Sequence, residues 1–399
     1  MDWDGVIHDV PGEDAVNEND VLTFDGNIPA FISCMCGKRN RIESLYALYE
    51  PETGASRLGG KHAEKGLAAA ALPGDASMRA AEELGIEVVV EDMNMEWEVA
   101  LIEWIQSYMG PIARILANVF SFIGGEKGLL ILLLGTSFCW KKEVGKKLFL
   151  MIPSILAWNA MLKAIVMRPR PYFTYPDRVK AYVNPTTNDA AVNDVAAQGY
   201  SFPSMHSSTI PAGYFTLAKA SRRKSIWIIA VVFTVLGGIS RICAGVHYPT
   251  DVLTGWVIGF AVMYIFSLLE KHVSNEWTRH LIILATALPG VLFVRTEEYF
   301  TTIGILAGVI LAFHYEEARV NYQDTRNGWA MAARMIGAFL IYFGVNTLLK
   351  LPFSAEFLSG GSIGALLIRS LRYMIITFLI IGIYPKLFPY FERLGPAHK

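Results

Sequence analysis

Three clusters of ionisable residues stand where apolar stretches end, and their types and spacing suit one chemistry. The first is Lys163-Ala-Ile-Val-Met-Arg168-Pro-Arg170-Pro171 and the second is Gly199-Tyr-Ser-Phe-Pro203-Ser204-Met205-His206. The third runs from Ser240-Arg241 through Cys243 to His247-Tyr-Pro249-Thr-Asp251. Lys163, Arg170 and Arg241 supply three cations, two of them planar forks suited to bidentate phosphate contacts. Pro203 and Pro249 fit the first position of a helix, so Ser204 and His206 are expected in the opening turn of one helix and Asp251 in that of another. Backbone N–H groups at such termini bind anions. His247 precedes Asp251 by four residues, which lets the carboxylate accept a proton from one ring nitrogen and leaves the other as a nucleophile. His206 is then available to protonate a leaving oxygen. Lys163 alone would read as a snorkelling anchor, but three clusters on one membrane face read as a phosphate site.

The elements that must carry these groups are membrane helices. Hydrophobic residues make up 53% of the 399, charged residues only 18%. That is too few charges to cover a soluble particle of this size. The net charge of -1 hides an asymmetry: residues 1–95 hold 18 acidic and 7 basic residues, the remainder 18 acidic and 28 basic. An acidic polar segment precedes a membrane body whose cations serve topology or anionic ligands. Cys34, Cys36, Cys139 and Cys243 form neither a disulfide framework nor a metal-type pair, and Cys243 reads as packing.

Residues 1–95 contain no long apolar run and no signal-peptide pattern. This segment is expected to be cytoplasmic and weakly folded or disordered, with one helix near 77–85 and a short strand Ile86–Val90. Asp2-Trp3-Asp4-Gly5 resembles a phosphatase nucleophile loop but lacks the preceding buried strand, and reads as a solvated acidic terminus. Met93 or Met95 would serve as an alternative start. From there the hydropathy predicts about ten spans: Trp97–Phe122, Gly128–Trp140, Gly145–Val166, Ser204–Ala220, Ser225–Ile242, Thr250–Leu269, Leu281–Val294, Thr301–Phe313, Trp329–Leu349 and one within Ser362–Tyr384. Lys and Arg concentrate in alternate loops, at 141–147, 219–224, 271–279, 319–326 and 386–393, which marks those loops as cytoplasmic. The site then faces outside. The cation-rich stretch from Arg168 to Lys180 breaks the rule and calls for an anionic ligand, with Arg168 turned to headgroup phosphates.

The spacings K-x6-R-P from Lys163, P-S-x-H from Pro203 and S-R-x5-H-x3-D from Ser240, in that order, resemble the type 2 phosphatidic acid phosphatase superfamily, whose site is similar to that of vanadium haloperoxidases. The resemblance covers roughly residues 97–270. It implies an all-α fold, a polytopic transmembrane helical bundle with a six-helix phosphatase core at 96–272 and a C-terminal extension of about four transmembrane helices at 273–399. By resemblance His247 is the nucleophile that becomes phosphohistidine, Asp251 orients it, His206 is the general acid, and Lys163, Arg170, Ser204 and Arg241 hold the phosphoryl oxygens. No cofactor and no metal are implied. Met205 stands where the family has glycine, and its N–H can still face phosphate while its side chain narrows the entrance.

The implied substrate is a lipid phosphate or diphosphate in the bilayer, first undecaprenyl diphosphate, then phosphatidylglycerol phosphate or phosphatidate, in a bacterial cytoplasmic membrane. Nucleic acid is not an expected partner. The segment from Tyr172 to Gly199 is placed to act as a lid. A phosphotransferase using the same phosphohistidine and a non-catalytic anionic-lipid transporter are the rival readings, and the second leaves the His206, His247 and Asp251 set without a purpose. In the extension, His280, His314, Arg334, Asn346, Arg369 and Arg372 read mainly as anchors near span ends, with a dimer interface or a polyprenyl groove as the sharper alternative. Gly304 and Gly308 have the spacing of a close helix contact.

Overall fold

The computed structural model describes residues 20–25, 28–35, 64–69, 87–90, 96–182, 199–359 and 361–394. Two units separate by contact, the first made of residues 1–97 with 167–169, the second of 98–166 with 170–399. In the first, β1 (Asp20–Asp25) pairs antiparallel with β2 (Ile28–Met35), which pairs in parallel with β3 (Glu64–Ala69) and that in turn with β4 (Glu87–Val90). β4 falls on the expected short strand, whereas the expected helix near 77–85 lies outside the described residues. These strands add to the all-helical expectation, which the second unit meets.

That second unit is a polytopic helical bundle of an integral membrane protein. Its main helices are α1 (Glu96–Gly124), α2 (Glu126–Cys139), α3 (Lys142–Val166), α4 (Met205–Ser221), α5 (Lys224–Cys243), α6 (Pro249–His272), α7 (Glu276–Ala287), α8 (Glu297–Arg319), α9 (Gly328–Leu348) and α10 (Ile363–Phe378). Among the described residues six helices are long and apolar enough to cross a bilayer, or seven if the bent pair Arg114–Gly124 and Glu126–Cys139 counts as one span. α4, with 17 residues, and α7, with 12, fall short of that length, so packing within the bundle and not hydropathy sets their place.

One expected span does not cross. The first half of α1 stays on the face that carries the site: Glu98 accepts from the Thr250 N–H at 2.8 Å, Glu103 pairs with Arg178 at 3.0 Å, and Gln106 donates to the carbonyls of Lys180 and Cys243 at 2.8 and 3.1 Å. Trp97, Trp104 and Tyr108 are exposed along it, as suits a helix lying in the interface with its aromatic residues at headgroup level. Arg114–Gly124 and Glu126–Cys139 are together long and apolar enough for one crossing, bent by 48° at the break between α1 and α2. It runs beside α4 from end to end. Gly124 touches the His206 ring, Leu132 packs on Gly213, and the Lys141 Nζ donates to the Ala220 carbonyl at 3.4 Å. Trp97–Phe122 and Gly128–Trp140 therefore contribute one passage where hydropathy suggests two. The bend falls at Gly124-Gly125, and hydropathy summed along the chain does not register it.

The extension packs through its glycines. A Cβ on Gly304 would lie 2.1 Å from the Ser370 carbonyl oxygen and one on Gly308 2.6 Å from that of Met374, so α8 and α10 meet backbone to backbone. The Gly304 and Gly308 pattern thus serves contact within the chain. The polar residues that read as anchors are partnered within the chain: Arg334 with Glu392 at 2.8 Å, Arg372 with Asn346 at 2.6 Å, Arg369 with Glu297, and His280 with His314 at 3.1 Å.

Candidate active site

The three sequence clusters meet where α3, α4, α5 and α6 end on one face. Lys163 sits in the last turn of α3 and donates to the Tyr200 carbonyl at 2.8 Å. Arg170 precedes the short turn Pro171–Thr174 and donates to the carbonyls of Gly199 and Val246, both at 2.9 Å. One guanidinium therefore ties the stretch of chain before α4 to the loop that carries His247. A buried cation is costly unless it is held this way, and both side chains are less than a tenth exposed.

Ser204 caps α4. Its Oγ accepts from the Ser207 N–H at 3.4 Å and from the Ser207 hydroxyl at 2.9 Å, and its own N–H donates to the Asp251 carbonyl at 3.1 Å. The helix begins at Met205, so Pro203 precedes the cap instead of opening the helix. His206 is then the second helical residue, and the N–H groups around it point toward an anion placed on the helix axis. Pro249 is the first residue of α6, as expected, with Tyr248 as its cap. The Asp251 Oδ2 accepts from the Tyr248 N–H at 2.8 Å, which fixes the carboxylate under the loop.

His247 is buried at 4% exposure. Its Nδ1 lies 3.5 Å from the Asp251 Oδ2 and has no hydrogen-bond partner. A backbone hydrogen bond joins the ring to Ser201. Burial, reinforced by the positive charges of Arg170, Lys163 and Arg241, holds this imidazole well below the usual histidine range, so it is neutral near pH 7. Arg241, 2% exposed, ends α5 and donates from Nη1 to the Ser121 Oγ at 2.6 Å, while its buried Nε has no partner. The charges of Arg241 and Lys163 and the ring of His247 act on His206, which brings the two imidazoles and the cations into one electrostatic neighbourhood. All seven residues singled out by spacing converge here. The arrangement is a neutral imidazole backed by a carboxylate, a second imidazole, and three cations around space for an anion.

Several neighbours escape the motifs. Ser121 and Gly124 on α1, the carbonyls of Gly199, Tyr200 and Val246, and Glu98, which accepts from the Thr250 N–H and hydroxyl, all support site residues. Carbonyl contacts carry no sequence signal, and on α1 the only trace is the polar start of an apolar stretch. Cys243 is fully buried packing. Residues 183–198 of the expected lid lie outside the described residues.

Comparison with known proteins agrees with the geometry. The sequence pattern of the PAP2 superfamily matches residues 145–273, and that of the PAP2 superfamily phosphatase transmembrane extension matches residues 300–397. An undecaprenyl-diphosphatase of Sulfolobus acidocaldarius is 27% identical over 130 residues, covering 33% of this chain and 57% of the relative. The phosphatidylglycerophosphatase B of Bacillus subtilis is 27% identical over 183 residues, 43% of this chain and 78% of the relative. A probable lipid phosphate phosphatase 4 of Arabidopsis thaliana is 33% identical over 141 residues, 30% of this chain and 46% of the relative. The chain thus spans about half to three quarters of the length of these relatives. No solved structure matches it. With the superfamily domain holding Lys163 through Asp251 and its transmembrane extension following, the chain belongs to the PAP2 superfamily.

Proposed function

We propose that the protein is a membrane phosphatase that hydrolyses a lipid phosphate or diphosphate through a phosphohistidine on His247. The observation that carries this reading is the neutral, buried His247 with its Nδ1 turned to the Asp251 carboxylate, beside Lys163, Arg170 and Arg241. The ring nitrogen away from Asp251 attacks phosphorus, and the bond from phosphorus to the lipid oxygen breaks. His206, protonated once the phosphoryl anion offsets the surrounding cations, supplies the proton that oxygen needs. Nδ1 keeps its proton and Asp251 stabilises the ring as it becomes charged, the 3.5 Å gap closing to an Nδ1–H···Oδ2 hydrogen bond as that charge develops. Ser204, the α4 N-terminus and the three cations bear the charge on the phosphoryl oxygens. Water, deprotonated by His206, then attacks the phosphohistidine, releasing phosphate and restoring His247. From a diphosphate the first step releases the lipid monophosphate.

Names of relatives and the position of the site support a lipid substrate, with a polyprenyl diphosphate ahead of phosphatidylglycerol phosphate and phosphatidate. The Lys- and Arg-rich loops lie on the face opposite the site, which argues for a site open to the outer leaflet of a cytoplasmic membrane. Because α1 lies on the site face, this reading puts Glu98 on the extracytoplasmic side as well. The test is a panel of lipid phosphates and diphosphates with purified protein. Phosphate release abolished by His247→Ala, inhibited by vanadate and indifferent to EDTA is the expected result. Lipid phosphate binding without release would reject the enzyme reading. Release that rises only with an added lipid or sugar hydroxyl would favour transfer over hydrolysis.

A further inference from the structure

The catalytic groups named above all lie within residues 145–273, yet two of them are held from outside that stretch by the bent crossing of α1 and α2. Arg241 donates to the Ser121 Oγ at 2.6 Å, and His206 makes a backbone hydrogen bond to the same residue. The second contact has a structural cause. α1 ends at Gly124, so the Ser121 carbonyl lies in its last turn, where its second lone pair can accept from the His206 ring. Gly124 lies against the His206 ring, since a Cβ there would come within 2.6 Å of its Cδ2. Arg241 has little else to orient it: its Nε is buried without a partner.

We propose that Ser121 is a positioning residue for phosphoryl transfer, its hydroxyl aiming the Arg241 guanidinium and its carbonyl the His206 ring, so that the cation and the proton donor are set relative to each other by one residue of α1. The inference rests on the phosphatase reading of the site. Ser121 does not touch phosphate. It acts by limiting the freedom of two groups that do, and such positioning is felt in the transition state more than in substrate binding.

The experiment uses full-length protein in lipid nanodiscs, with phosphatidate turnover and vanadate affinity as separate readouts. Ser121→Ala is expected to lower kcat about tenfold with KM within about twofold, and to weaken vanadate binding by a similar factor. Ser121→Thr keeps the hydroxyl and should stay within about twofold of the parent, whereas Ser121→Cys, nearly the same size but a weak acceptor, should fall with Ser121→Ala. In an Arg241→Ala background, Ser121→Ala should add little further loss. Unchanged kcat and vanadate affinity in Ser121→Ala or Ser121→Cys, or an equal loss with and without Arg241, would overturn the inference. A parent protein that binds vanadate but turns over no lipid would defeat the phosphatase reading alone, because vanadate affinity still reports on the contact between Ser121 and Arg241.

Discussion

The Nδ1 of His247 and the Oδ2 of Asp251 stand 3.5 Å apart, while the same carboxylate oxygen accepts from the Tyr248 N–H at 2.8 Å. Asp251 therefore has two duties. It caps α6 and, in the proposed reaction, backs His247 as nucleophile, and the cap holds the carboxylate in place before the ring needs it. Asp251→Asn keeps an acceptor for the cap but removes the charge that stabilises an imidazolium. Turnover is expected to fall on the order of 10²-fold or more with the thermal midpoint nearly unchanged. Phosphate release and thermal unfolding on the same sample check this; a matching loss of both would reduce Asp251 to a structural cap.

His247 is held neutral by burial and by Arg170, Lys163 and Arg241. A lowered folded-state value means the ring keeps its lone pair as pH drops through 6.5, the ordinary histidine value, and protonates only below it. The acid limb of kcat/KM, corrected for titration of the substrate phosphate, should lie below pH 6.5. A limb at or above that value would contradict the environment described for His247.

Gly124→Ala probes the contact between the helix break and His206. The added methyl would lie 2.6 Å from the His206 Cδ2, and the ring, as the end of a side chain, can yield where backbone cannot. The substitution should displace the imidazole and lower kcat by about tenfold or more, with little change in folding. Activity equal to that of the parent would show that His206 tolerates the shift.

Gly304 presents the opposite case, because a methyl added there would meet backbone, the Ser370 carbonyl oxygen, at 2.1 Å. Gly304→Ala must separate α8 from α10 at a cost of about 1–3 kcal/mol. A lowered thermal midpoint in detergent, with residual activity per folded molecule preserved, is expected; an unchanged midpoint would mean the helices part freely.

The single passage through α1 and α2 predicts which residues share a face. In a cysteine-free background, Glu103→Cys and Asp177→Cys should react with an impermeant maleimide from the same side, and Arg222→Cys from the other. Labelling of Glu103→Cys together with Arg222→Cys would restore two crossings.

Much of the site is legible in the chain because its chemistry is carried by residue type at short range. The step of four from His247 to Asp251, the placement of Pro249 at the start of α6 and the pairing of Arg170 with Pro171 are local patterns, and each survives in the fold. The start of α4 differs from the expected one by a residue or two, since Pro203 suits either side of a cap and the Ser204 side chain decides the matter. Depth along the chain suggests anchors in the extension, whereas Arg334, Arg372 and Arg369 each pair with a partner remote in sequence.

The sequence by itself determined that this is a membrane chain and which seven side chains could handle a phosphoryl group, because composition and spacing are properties of the chain before it folds. Only the tertiary structure decided that α1 lies along the site face, that the crossing bends beside His206, and that Ser121 meets Arg241. An apolar helix has the same hydropathy whether it lies in the interface or spans the bilayer. Its direction comes from the contacts it makes with α4, α5 and α6, and several of those contacts join residues more than a hundred positions apart.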